Sequence, residues 1–369
     1  MNKLERQSNF ELLRILSILF IILYHIAHHG NWGDGGAYFP ENITFNVLFL
    51  QCLLPLGKLG VDLFVLISGY FLISYSKCTW PKLFLIWAEM IFYSILISGL
   101  FVLFDNTTLT PRQTLDIFLP FLANTWWFAS AYMIILALSP FLNKMILACD
   151  EKGHLRLIVG MLLLWTIIPI TTGINLQLND VIWFFVLYTI AAYIRLYPNR
   201  FRRKTTAYLS VAAIVYVILI MITYCIDITG YTSEFWGIYN YIDNNNRMNS
   251  PFILIISICL LLVFCKINVG KIKTINVISS TAFGIYLIHD HPLVRQWLYS
   301  EFFDCLGHTH SDTLFLYVLL MAGTVFTICS IIELLRIKII DSQLKRLIDP
   351  ISTLNKKIDY YLDRFLTNN

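Results

Sequence analysis

The sequence predicts an all-α protein, a polytopic membrane bundle of about ten transmembrane helices with both termini in the cytoplasm. Three observations predict this fold. Its 369 residues are 57% hydrophobic and only 14% charged, against roughly 25% charged residues in a typical soluble domain. The apolar residues form ten separate runs, and most basic residues lie in alternate connections. A net charge of +4 gives no indication of a nucleic-acid partner.

Each apolar run approaches the length of about 20 residues that a helix needs to cross the bilayer. The second and ninth contain glycine, proline and charged residues, so we expect them to be kinked or broken. The first lacks a small-residue cleavage site and is interpreted as a retained helix, not a signal peptide. The runs cover residues 10–28, 46–73, 83–104, 126–148, 155–172, 180–197, 206–226, 251–267, 277–299 and 313–335.

The basic residues predict the orientation, because cytoplasmic connections of membrane proteins are enriched in Lys and Arg. With the N-terminus inside, the cytoplasmic segments carry 22 of the 27 Lys and Arg residues. The outer segments carry only Arg112, Arg247 and Arg295, which places both termini in the cytoplasm.

Two parts of the chain are distinguished on this basis. Residues 1–340 form the predicted transmembrane domain. Residues 341–369 form a basic tail in which Leu344, Leu347, Ile348 and Ile351 begin a series of apolar residues at helical spacing. Such a tail is expected to lie on the inner membrane leaflet, in contact with its lipids.

Ionisable residues inside the apolar runs are the main functional signal, because burial in hydrocarbon is costly and such residues usually face a cavity. Arg14 and His25 are eleven residues apart in the first run, which places them on one helix face about 16 Å apart along the axis. Alternatively, Arg14 reaches the lipid headgroups and His25 satisfies a hydrogen bond in the core.

The second run contains Lys58 and Asp62, four residues apart, which can neutralise each other inside the membrane. A structural ion pair is the alternative to a functional role. Glu89 in the third run is predicted to complete an inner polar layer with Arg14, and a buried pair without chemistry is equally compatible with the sequence.

The ninth run contains His289 and Asp290. His289 can reach the depth of His25, where a second imidazole can orient the first or share protons with it. Alternatively, this stretch only shapes a helix break. His25, His28 and His29 have spacing that suits a metal. No carboxylate or cysteine accompanies them in the sequence, and the cysteines form no C-x-x-C pair, so no metal site is predicted.

Four motifs together resemble the acyltransferase-3 family of membrane-bound O-acyltransferases. They are Arg-x10-His in the first run, Gly-Val-Asp-Leu-Phe followed by Ser-Gly-Tyr-Phe in the second, Asn-Thr-Trp-Trp-Phe in the fourth and Tyr-Leu-Ile-His in the ninth. They occupy residues 14–25, 60–71, 124–128 and 286–289.

The resemblance implies transfer of an acyl group from cytoplasmic acyl-CoA, with acetyl-CoA expected, to a hydroxyl of an extracytoplasmic or lipid-linked glycan. The implied location is the plasma membrane, and no permanently bound cofactor is expected. His25 would be the catalytic base or transient acyl acceptor. The expected site comprises catalytic His25, Asp62 and His289; acyl-CoA-binding Arg14, Lys58, Lys77, Lys82 and Glu89; and acceptor-binding Asn124, Trp126, Trp127, Tyr286 and Asp290.

Several alternatives remain open at this stage. Direct transfer and a two-step route through an acyl-enzyme fit the sequence equally well. A transporter or flippase of lipid-linked saccharides would also use intramembrane charges and kinked helices. A glycan polymerase would be expected to have a larger outer loop, and a purely structural membrane partner is the remaining possibility.

Overall fold

A computed structural model describes residues 7–33, 36–37, 42–75, 80–105, 108–172, 178–229 and 249–340. All regular secondary structure in these ranges is helical, which confirms the predicted fold class. Lys77 and the predicted tail at 341–369 lie outside the described residues, and so does the expected boundary between membrane domain and tail.

Fourteen α-helices are labelled in chain order within these ranges. They are α1 (Ser8–His29), α2 (Phe45–Leu72), α3 (Trp80–Phe104), α4 (Pro111–Phe118), α5 (Trp127–Leu147), α6 (Glu151–Leu162), α7 (Ile168–Thr172), α8 (Asp180–Leu196), α9 (Thr205–Thr229), α10 (Pro251–Lys266), α11 (Lys273–Ser279), α12 (Ala282–His289), α13 (Pro292–Trp297) and α14 (Leu314–Ile339). Two π-helical segments, Leu163–Ile167 and Leu298–Phe302, extend α6 and α13.

Each of the ten predicted runs is helical in the structure. Within the described ranges, seven helical stretches are long and apolar enough to cross a membrane, and α10 is a shorter apolar helix. A multi-pass membrane protein follows from these lengths. The orientation of the termini stays a prediction.

The two runs expected to be irregular behave differently. The second forms one continuous helix, α2, although Pro55 lies inside it. Pro55 has no N–H to donate to the carbonyl of Gln51, four residues earlier. The adjacent Cys52 carbonyl accepts the Tyr216 hydroxyl of α9. The ninth run is broken into α11, α12 and α13, as predicted.

The fifth run contains an irregularity that the sequence analysis did not predict. The π-helical segment Leu163–Ile167 lies directly before Pro169, which has no N–H to donate to the carbonyl of Trp165. That carbonyl instead accepts the Asn249 amide Nδ2 at 2.6 Å. The distortion therefore coincides with a backbone group that needed an outside partner.

The α2 helix forms the centre of the bundle. In its most apolar stretch 78% of the residues are buried, against 17% in α9, so α9 lies at the periphery. α1 packs closely on α2 through Gly60, where an added Cβ would lie 2.5 Å from the Ser17 carbonyl oxygen. Small residues at such crossings let two helix backbones approach each other.

We expect Gly60→Ala to destabilise the protein by about 1–3 kcal/mol, because the new methyl group overpacks the contact between α1 and α2. Gly99→Ala in α3 is the matched control, since a Cβ there meets nothing within 4 Å. Thermal unfolding of the purified protein in detergent measures both variants. Equal melting temperatures for the two variants would contradict the packing argument.

Candidate functional site

The break in the ninth run exposes backbone carbonyls that must find partners. Pro292 has no N–H for the carbonyl of Ile288, and the N–H of His291 takes that place at 3.4 Å. The Leu287 carbonyl, which His291 would otherwise satisfy, accepts the indole Nε1–H of Trp126 at 3.1 Å. Trp126 is fully buried. It therefore stabilises the break and does not reach the surface of a cavity.

The break positions His289 as the last residue of α12. Its Nδ1 lies 2.5 Å from the Ile285 carbonyl oxygen, and its Nε2 lies 2.9 Å from Nδ1 of His25 in α1. A carbonyl only accepts, so Nδ1 of His289 carries the proton and Nε2 is the acceptor in the neutral ring. His25 therefore donates through Nδ1. Its Nε2 is left unprotonated, without a hydrogen-bond partner among the described residues.

Asp290 follows in the break, and its carboxylate faces three nitrogen atoms. Its Oδ1 lies 3.6 Å from Nδ1 of His25, 3.5 Å from Nη1 of Arg295 and 4.0 Å from Nε2 of His29. Arg295 also lies 3.2 Å from Nε2 of His29, which must accept because a guanidinium only donates. These residues form a partly buried network in which one carboxylate and one guanidinium compensate each other.

A cavity of about 160 Å³ adjoins this network. Lys58 extends over the Trp127 ring, with Nζ 4.9 Å from the ring centroid, and both residues line the cavity with His25. The walls combine imidazoles, two cationic side chains and aromatic rings. The remaining lining residues are Ile21, Tyr24, His28, His29, Gly57, Val61, Phe128, Tyr286, Asp290 and Arg295.

The expected ion pair between Lys58 and Asp62 does not form, although both residues belong to the described ranges. Asp62 is fully buried and accepts the indole N–H of Trp183 at 3.1 Å. It lies behind the cavity wall, because the neighbouring Val61 lines the cavity and Asp62 does not. Lys58 instead extends toward the Trp127 ring, so its ammonium and the Asp62 carboxylate contact different residues.

A metal site was not predicted because no carboxylate accompanies the histidines in the sequence. The structure supplies one, since potential ligand atoms of His25, His29 and Asp290 lie within 4.8 Å of one another. However, the Arg295 guanidinium contacts both His29 and Asp290, where a cation would have to bind. The charge arrangement favours an ion-pair network over a metal at this position.

The residues expected to bind acyl-CoA are dispersed. Arg14 pairs with Glu11 at 2.6 Å, and Glu11 also accepts the Ser279 hydroxyl. Glu89 lies 3.3 Å from Nη2 of Arg336, a pair of the kind that the sequence also allowed. Lys82 is exposed, with Nζ 6.0 Å from the Tyr132 ring centroid.

Of the residues expected to bind the acceptor, Trp127, Tyr286 and Asp290 line the cavity. Asn124 does not. It is exposed and adopts φ of 54° in the turn before α5, a left-handed conformation that asparagine tolerates. Its structural role is therefore to direct the chain into α5, which carries Trp127.

Sequence reasoning missed two parts of the site. Arg295 was counted among the outer basic residues, and its proximity to Asp290 follows only from the geometry of the break. Arg336 was counted as cytoplasmic, but it is buried and bonds both carboxylate oxygens of Glu333 at 2.8 Å. Tyr93 donates to the same carboxylate at 2.6 Å. The signal that was available is Glu333 at the end of the tenth apolar run, three residues before Arg336.

This second network supports the helix that carries His289. The Glu333 carboxyl packs directly on Gly284 of α12, where an added Cβ would overlap it. Gly284 precedes Ile285, whose carbonyl fixes the proton on His289. The contact thus links α14 to the orientation of the imidazole pair.

Replacing Arg336 with Met should destabilise the protein by about 3–5 kcal/mol, because two carboxylates would remain buried without their guanidinium. The exposed pair Arg112–Asp116 provides the control, since such surface pairs contribute about 0–1 kcal/mol. Thermal unfolding of Arg336→Met and Arg112→Met in detergent compares them. A melting temperature of Arg336→Met equal to wild type would refute a stabilising network.

Comparison with known protein families matches residues 7–334 to the acyltransferase domain of the acyltransferase-3 family. No curated protein and no solved structure matches the chain. The matched range includes every described residue of the cavity and of the imidazole pair.

Proposed function

Because the chain belongs to the acyltransferase-3 family, we propose that this membrane acyltransferase moves an acetyl group from cytoplasmic acetyl-CoA to a glycan hydroxyl. The glycan is extracytoplasmic or lipid-linked, and the enzyme resides in the plasma membrane. The observation that carries the proposal is His25, which lies on the wall of a polar cavity inside the bundle and is hydrogen-bonded through Nδ1 to His289.

The imidazole pair supports a base at a defined atom. Nδ1 of His289 donates to the Ile285 carbonyl, and Nδ1 of His25 donates to Nε2 of His289. Nε2 of His25 is therefore the unprotonated nitrogen. A hydroxyl that enters the cavity donates its proton to this nitrogen as its oxygen attacks the thioester carbonyl carbon. When the carbon–sulfur bond breaks, the imidazolium returns the proton to the departing thiolate. His289 holds the ring in the required tautomer.

The same nitrogen serves the two-step alternative. There Nε2 attacks the thioester and the thiolate leaves, which gives an acyl-imidazolium. The hydroxyl then attacks this acyl group, the ring nitrogen leaves, and the hydroxyl proton passes to the thiolate. Both routes form a tetrahedral intermediate next to His25. The cavity volume of about 160 Å³ suits a short acyl group.

Lys58 is proposed to stabilise the negative charge on the oxygen of that intermediate. Its ammonium lines the same cavity as His25 and contacts the face of Trp127. In the described residues it has no carboxylate within ion-pair distance, so its N–H donors are available. Preorganised donors in a site that excludes water are the strongest means of stabilising a developing oxyanion. This role differs from the acyl-CoA binding that was expected for Lys58.

Arg14 and Lys82 are proposed to receive the phosphates of acetyl-CoA at the other end of α1. The Arg14 side chain is 30% exposed and pairs with Glu11. Lys82 is also exposed, and its ammonium lies over the Tyr132 ring. If the N-terminus is cytoplasmic, this end faces the cellular acetyl-CoA pool. The acceptor then approaches the cavity from the opposite side.

Replacing His25 with Gln should lower transfer by about a hundredfold or more, the usual contribution of a general base. The amide retains a hydrogen bond to His289 but does not accept a proton at neutral pH. Incubation of purified protein with labelled acetyl-CoA and candidate glycans measures the product. His154→Gln is the control, since His154 is buried against the Thr189 carbonyl away from the cavity.

Two results would contradict the proposed activity. One is a wild-type rate of acylation by His25→Gln. The other is transport of unmodified saccharide by the wild-type protein in vesicles without acylated product, which would support a transporter instead.

Replacing Lys58 with Met should reduce kcat by about a hundredfold while the KM for acetyl-CoA changes little, because an oxyanion contact forms only in the transition state. Steady-state kinetics over a range of acetyl-CoA concentrations separates the two parameters. Lys144→Met, an exposed lysine of α5, is the control. An increase in KM at constant kcat would favour the phosphate contact and overturn the proposed role.

A further inference from the structure

A second cavity of about 340 Å³ lies between α3, α13 and α14, on the other side of His289. Its surface is entirely apolar, and its walls include Ile97, Val294, Trp297 and Val325. The function proposed above does not use it. A cavity of this kind binds hydrocarbon in preference to water, because a water molecule would find no hydrogen-bond partners.

The cavity opens toward the hydrocarbon of the bilayer. Leu96 and Leu100 on α3 line one side of it and are 39% and 45% exposed. Ile328 and Ile332 on α14 line the opposite side and are 49% and 38% exposed. Large apolar side chains exposed on membrane-spanning helices contact lipid. A molecule already in the bilayer can therefore enter laterally between α3 and α14.

His289 lines the apolar cavity and its partner His25 lines the polar one, so the imidazole pair lies between the two cavities. Both of its ring nitrogens are engaged, one by the Ile285 carbonyl and one by His25. An occupant of the apolar cavity therefore meets only carbon atoms of this ring and takes no part in the chemistry. It must be a part of a substrate that is remote from the reacting group, or a lipid unconnected with the reaction.

Helix α13 contributes residues to both cavities, and their chemistry distinguishes these possibilities. Val294 and Trp297 face the apolar cavity, and Arg295 between them faces the polar one. A guanidinium has five N–H donors and binds phosphate well, and the contacts to Asp290 and His29 use only part of them. A basic group thus lies between a hydrocarbon site and the proposed catalytic base.

We propose that the apolar cavity binds the hydrocarbon chain of a lipid-phosphate-linked saccharide, which is the acceptor. This inference rests on the proposed function and narrows its substrate class. The chain lies between α3 and α14, the phosphate meets Arg295, and the sugar hydroxyl reaches His25. The acyl chain of the donor fits less well, because it is attached directly to the reacting carbonyl, whereas the phosphate and sugar of the acceptor separate the hydrocarbon from the reacting hydroxyl.

Photolabelling tests the inference without any acyl donor. The full-length protein is placed in vesicles of phosphatidylethanolamine and phosphatidylglycerol. The probe is N-acetylglucosamine linked through phosphate to a long alkyl chain that carries a diazirine. A phosphatidylethanolamine with the same diazirine chain is the comparison. We expect the saccharide probe to label residues of the cavity, such as Leu96 and Ile328, in excess of the phospholipid probe.

Two matched variants locate the binding. Ile328→Trp fills the mouth of the cavity and should reduce labelling by the saccharide probe about tenfold, the effect of losing a few buried methylene groups. Ile331→Trp changes a residue of the same helix that is 54% exposed and does not line the cavity, so labelling should be unchanged. Arg295→Gln should weaken labelling by the saccharide probe but not by an alkyl diazirine without phosphate.

Equal labelling by the two probes would overturn the inference and assign the cavity to bulk lipid. Unchanged labelling of Ile328→Trp would also overturn it. A failure of the proposed activity is separate, because it is measured with labelled acetyl-CoA and His25→Gln. An active enzyme without specific labelling would retain the function and lose only the lipid-linked acceptor.

Discussion

The site depends on one constraint, that backbone carbonyls inside a membrane must be hydrogen-bonded within the protein. Pro292 interrupts the ninth run, and each carbonyl freed by the break acquires a defined partner. The Trp126 indole takes the carbonyl of Leu287, and the His291 N–H takes that of Ile288. The imidazole of His289, the last residue of α12, donates to the Ile285 carbonyl within that helix. This contact determines the tautomer of His289 and, through it, that of His25, so the position of the proposed base atom depends on a backbone hydrogen bond.

The charged side chains around this break are compensated in two separate networks. Asp290 and Arg295 compensate each other beside the cavity, and Glu333 with Arg336 and Tyr93 forms a second buried network on α14. The second network packs on Gly284, so it restrains α12 without facing the cavity. Lys58 differs from both, because within the described residues it contacts an aromatic face and no carboxylate. A cation kept in this state is suited to an anion that exists only during the reaction.

Much of the fold could be predicted from the sequence, because the apolar runs and the basic connections reflect membrane insertion directly. The pairing of His25 with His289 also followed from depth along two helices. The roles of Asp62 and Trp126 could not be predicted from the sequence. Both side chains form hydrogen bonds to residues that are close only in the packed bundle. Arg295 was missed because its contact depends on the direction of the chain after the break.

The break also determines which residues of α13 line each of the two cavities. Because α13 begins anew at Pro292, Arg295 points to one space while Val294 and Trp297 point to the other. The lipid-linked acceptor proposed above would keep its hydrocarbon in the apolar space while its hydroxyl reaches the proposed base, His25. The break that starts α13 thereby assigns the two ends of such a substrate to two sides of one helix.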